Sequence, residues 1–167
     1  TIAGKTGTAK AYDGNKKLMS FCGFFPAEAP EYTLIVQMMY ENRNQLFNGG
    51  AYFYNAENYD AAFKQFDMFI KTSTLEPLDT LPAVKDKELN ANAAYYATLC
   101  GMQTENYKNV LKHIDLAIEE PSFKENATKY KAMAQVQTGD TVAWVQTLKG
   151  GAKTFPANPY FYQSLIA

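Results

Sequence analysis

Two stretches of this 167-residue chain are copies of one another, and no other feature constrains the fold as much. ENYDAAFKQFDMF (57–69) written over ENYKNVLKHIDLA (105–117) aligns Glu, Asn, Tyr, Lys and Asp, and the remaining apolar positions mostly match in character. Tyr59 and Tyr107 are then equivalent, 48 residues apart, and Thr141 of TGDTVAWVQTL takes the same place 34 residues later. With a period of about 34 residues, the first interval is one repeat plus an insertion of about 14, placed in TSTLEPLDTLPAVKDKE near 72–88. The copies carry the apolar spacing of helices. A helical hairpin buries one face only, so such units are stable when stacked.

The helical texture begins at about residue 43. It runs through NQLFNGGAYFYN, YDAAFKQFDMFIK, LNANAAYYATLCGM, YKNVLKHIDLAIEE, NATKYKAMAQVQ and TVAWVQTLKGGAK, and PYFYQSLIA reads as the first helix of a further repeat or as a cap. Residues 1–42 differ. MSFCGFF and YTLIVQMMY are apolar runs rich in aromatic and β-branched residues, separated by PAEAPE, and AYDGNKK supplies a turn before them. The expected class is therefore α+β: a three-stranded antiparallel β-meander (1–42) followed by an array of helical hairpins (43–167). The strands are apolar on both faces, which three strands cannot bury alone. The face carrying Phe21, Phe25, Leu34, Val36 and Met38 is expected to be covered by the repeat helices or by a second copy, as a homodimer.

The repeats resemble those of tetratricopeptide-repeat proteins. Gly50, Phe53, Ala62 and Phe66 fall at the spacings of that family's Gly-x2-Tyr and Ala-x3-Phe elements, and small residues there let two helices approach closely. Val110, Ile114 and Ala117 take the equivalent places in the second copy, beside Tyr107 as the counterpart of Tyr59, and Pro121 closes the hairpin. The third copy departs, with Trp144 where a small residue is usual. The resemblance implies a module that binds a protein or peptide.

The opening TIAGKTGTAK poses a separate question. A phosphate-binding loop needs a preceding glycine and strand and a following helix, and here Gly4-Lys5-Thr6 is followed by Gly7, Thr8 and a turn. The whole stretch, with SFCGFFPAEAPEYTLIV after it, instead resembles the C-terminal strands of class B penicillin-binding proteins over residues 1 to about 40. By that resemblance Lys5, Thr6 and Gly7 would face a substrate or β-lactam carboxylate, and the Thr8 N–H would stabilise an oxyanion. The family's other motifs are absent: no serine here has lysine three residues on, and no S-x-N occurs. Without nucleophile and base no acyl-enzyme forms, so the chain as given is expected to be non-catalytic. One alternative is part of a cell-wall D,D-transpeptidase whose serine lies in upstream sequence. Another is an artefactual join of two unrelated gene fragments. The same resemblance implies the periplasmic side of a bacterial envelope.

Composition removes other classes. The net charge of −1 gives no footprint for nucleic acid, and no apolar run approaches the length of a membrane span. The single histidine, His113, excludes a His-rich metal site and is read as a solvated helix residue; no cofactor is expected. Asp67, Asp115 and Glu119 are read as solvated charges. Tyr95, Tyr96 and AYFYN are read as an interhelical packing layer, the alternative being the lining of a peptide groove. Cys22 and Cys100 read as two buried thiols, with one disulfide the alternative.

Overall fold

A computed structural model of the protein describes the backbone of residues 3–10, 17–25, 32–34, 36–74 and 85–166, and within these the side chains from residue 42 onward. Seven helices follow one another among the described residues: α1 (Val36–Asn55), α2 (Tyr59–Lys71), α3 (Lys87–Gln103), α4 (Tyr107–Glu119), α5 (Pro121–Gln137), α6 (Thr141–Thr154) and α7 (Pro159–Ile166). Each packs on the next, so the array is built from sequence neighbours.

Local signals start several of these helices. Asp86 caps α3, its carboxylate accepting the Leu89 N–H at 3.0 Å. Pro121 opens α5 at a position whose N–H needs no partner. The inward faces keep helical spacing: Ala62, Phe66, Phe69 and Ile70 on α2, and Val110, Ile114 and Ala117 on α4, are all buried. Alanines make up much of the α3 contribution, with Ala93, Ala94 and Ala97 wholly enclosed, which brings helix axes close together.

The α+β expectation is corrected. Throughout the residues with described side chains every regular element is a helix, with no strand and no sheet, and that body is an all-helical repeat array. The third expected strand, YTLIVQMMY, is the clearest error: extended backbone ends at Leu34 and α1 begins at Val36. Val36 and Met38 therefore belong to a helix and not to a sheet face. A short apolar run does not reveal its period, and Gln37, Met38, Met39 and Glu41 are good helix formers.

Ahead of α1 only backbone is described: β1 (Ala3–Lys10), β2 (Lys17–Phe25) and the three-residue β3 (Tyr32–Leu34), paired antiparallel in that order. Pairing of this extent is marginal by itself and does not set the class of the chain. β2 lies beside α1. The side chains of Phe21, Phe25 and Leu34 are outside the described residues. So is the centre of the expected insertion, residues 75–84.

Candidate interaction surface

One turn, used three times, sets the geometry of the array. Glu57, Glu105 and Gly139 all have positive φ, at 57°, 53° and 79°. At each turn the residue with positive φ donates its N–H back to the helix it ends, to Tyr54, Met102 and Val136, and the next residue donates to Phe53, Gly101 and Gln135. This pair of bonds satisfies the last carbonyls of α1, α3 and α5. The following residue then caps the next helix: Asn58, Asn106 and Asp140 accept the N–H groups of Ala61, Asn109 and Ala143. The equivalence of Tyr59, Tyr107 and Thr141 is therefore structural, and the register of the third copy is fixed by its turn in spite of Trp144.

The residues singled out for packing sit where hairpins close. A Cβ on Gly50 would lie 2.6 Å from the Phe66 ring, so α1 and α2 touch through a glycine. Ala62, Phe66, Val110, Ile114 and Ala117 are fully buried, and Phe53, Tyr59 and Tyr107 are half-buried against the same core. Sequence reasoning passed over two further close approaches. A Cβ on Gly101 would lie 2.8 Å from Val110, and one on Gly151 would run into the Phe161 ring.

The aromatic residues form an interhelical layer. Tyr96 stacks on Phe66 at 5.6 Å and meets Tyr54 edge-on at 5.4 Å. Phe47 packs edge-on against Phe66 and Phe69. Tyr95 lies 4.4 Å from Phe123 with nearly parallel rings, joining α3 to α5.

Two polar clusters were missed from sequence. Arg43 of α1 is buried, its guanidinium 3.7 Å from the centre of the Phe69 ring. Its Nε donates to the Thr72 hydroxyl at 2.8 Å, and Nη2 donates to Asn90 Oδ1 on α3. Thr72 in turn donates to the Phe69 carbonyl. One side chain thus ties together α1, the end of α2 and α3, and only its position opposite an aromatic and a helix end distinguishes it from a surface arginine.

The second cluster corrects the reading of Asp67 and His113. Asp67 is buried and accepts from His113 Nε2 at 2.6 Å and from Lys112 and Lys71 at 2.8 Å each. Burial pushes its carboxyl up, but the hydrogen bonds from Lys112, Lys71 and His113 outweigh that and hold it well below the usual carboxylate range. His113 is a bridge from α4 to α2 rather than a solvated residue. Asp115 and Glu119 are exposed as expected, with Asp115 reaching Lys131 on α5. Cys100 is a free thiol, pushed up to about 12 by burial and so inert at neutral pH.

A crevice opens on the third hairpin. It has a volume of about 240 Å³ and lies between Lys124, Thr128 and Lys131 of α5 and Thr147, Gly150 and Thr154 of α6. Ile118, Gly151 and Phe155 complete its lining. At the other end of the chain, Lys5, Thr6, Gly7 and Thr8 fall within β1, where Lys5 pairs with Cys22 and Thr6 with Phe21. The side chains of these four residues are outside the described residues. Among the described residues no three His, Cys, Asp or Glu gather in a possible metal site, and no helix is long and apolar enough to cross a membrane.

Comparison with known proteins supports both resemblances. The penicillin binding protein transpeptidase domain family matches residues 1–58. A solved structure of a TPR repeats protein from Bacteroides fragilis is similar with a TM-score of 0.57 and 25% identity. The similarity covers 72% of this chain and 48% of that protein, so the chain spans about half of that protein's length. No curated protein matches.

Proposed function

We propose that this chain is a non-catalytic recognition module that binds a protein or peptide on its tetratricopeptide-like helices. The observation that carries this reading is the repeated hairpin itself, with three matching turns and a continuous helical stack similar to a solved repeat protein. Stacked hairpins present long helical surfaces without needing any reactive group. A protein-facing role on the periplasmic side of a bacterial envelope belongs to the same proposal and leans on the transpeptidase match.

A second reading is favoured by that match to residues 1–58. In it the chain is part of a cell-wall D,D-transpeptidase, with Lys5, Thr6 and Gly7 facing the substrate carboxylate and the Thr8 N–H at the oxyanion. The acyl-accepting serine and its activating lysine have no counterpart in these 167 residues. Incubation with a labelled penicillin followed by intact-mass measurement separates the two readings. The expected result is an unchanged mass. A stoichiometric covalent adduct overturns the non-catalytic reading.

A further inference from the structure

The crevice between α5 and α6 exists because the third hairpin departs from its siblings at three shared positions. Thr128 and Lys131 stand where the second hairpin has Ala94 and Ala97, 34 residues earlier, both of which are fully buried. Gly150 stands where the earlier copies have Met68 and Leu116. A Cβ on Gly150 would meet nothing within 4 Å, so the missing side chain is left as open space. Ile118, Gly151 and Phe155 make part of the lining apolar, and Thr147 and Thr154 add polar residues to it. Its volume of about 240 Å³ suits one leucine- or phenylalanine-sized group.

The rim is cationic. Lys124 and Lys131 line the crevice and no carboxylate does. Lys131 is paired with Asp115 at 2.6 Å, but that carboxylate is largely exposed, so exchanging it for another anion costs little. Thr128 already donates to the Lys124 carbonyl at 2.6 Å, which leaves its oxygen free to accept.

We infer that this crevice is a binding site for one apolar side chain of an extended acidic peptide, with the flanking carboxylates of that peptide on Lys124 and Lys131. The apolar group takes the open space beside Gly150, where the other hairpins carry the side chains of Met68 and Leu116. The lysines select acidic neighbours by charge complementarity. This deepens the recognition reading by naming a peptide chemistry. It fails independently of it, since the penicillin result does not depend on the crevice.

The test uses the full chain, labelled with nitrogen-15, and an amidated pentapeptide with leucine flanked on each side by two glutamates. Titration followed by NMR is expected to shift the amides of Lys131, Gly150 and Phe155. Replacing the leucine of the peptide by serine should weaken binding about tenfold or more, because the buried apolar group is lost. Replacing its glutamates by glutamine should weaken binding by a similar factor. Gly150→Leu fills the crevice and should abolish the shifts. Lys124→Glu leaves the crevice open and reverses the rim, and should weaken binding at least several-fold. Absence of any shift with the leucine peptide, equal binding of the leucine and serine peptides, or unchanged binding to Lys124→Glu overturns the inference.

Discussion

Asp67 is a carboxylate drawn into the seam between α2 and α4, and its hydrogen bonds from Lys71, Lys112 and His113 make it a measurable element of stability. A group whose carboxyl is held below its ordinary value favours the folded state above the unfolded-state value of about 4, and loses that contribution as pH falls through the folded-state value. Asp67→Asn should therefore cost about 1.5–3 kcal/mol at pH 7, the range for a hydrogen bond to a charged group. The gap from the parent protein should narrow once the pH is below about 4. Urea unfolding of both proteins at pH 7 and pH 3 checks this, and an equal gap at both values contradicts it. Asp67 and Asp115 align in the repeat, yet only one of them is buried. The letter was legible and its surroundings were not, because Asp67 meets residues 45 and 46 positions away in the chain.

Between hairpins the packing works by exchanging large for small. One position of the second helix carries Phe69, Ala117 and Gly151 in successive copies, and one position of the following helix carries Ala93, Ala127 and Phe161. All six are buried, and the bulk moves across the seam from copy to copy. Gly151 accepts the Phe161 ring only because it has no Cβ. Gly151→Phe alone should overpack this seam at a cost of about 1–3 kcal/mol. Phe161→Ala alone should leave a cavity costing about 3–5 kcal/mol. The double variant restores the arrangement of Phe69 and Ala93, and should lose clearly less than the sum of the two singles. Chemical unfolding of the four proteins measures the coupling, and simple additivity refutes the exchange. At this scale the sequence was informative about α2 and α4, whose apolar spacing is regular. It misled over residues 36–40, where a run of apolar letters fits a strand or a helix equally well and α1 decides for the helix.

The whole molecule is held together unevenly. The buried residues of α2, α3 and α4 join with Ala127 and Ala134 of α5 in one core, while Ala132, Leu148 and Phe161 form a second, smaller one under α6 and α7. Where Ala94 and Ala97 continue the larger core through α3, Thr128 and Lys131 leave the seam between α5 and α6 polar and open. At the other end, Arg43 fastens α1 to α2 and α3, so a helix that the transpeptidase match also includes is part of the repeat stack. In a linear array stability follows such nearest-neighbour seams, and the weakest one opens first. Native-state hydrogen exchange should then show α6 and α7 opening as a unit at lower free energy than α2–α4, with α1 protected alongside α2. Gly150→Leu, which adds apolar bulk at that seam, should raise protection in α6 without changing α2. Uniform protection across the seven described helices contradicts two unequal cores.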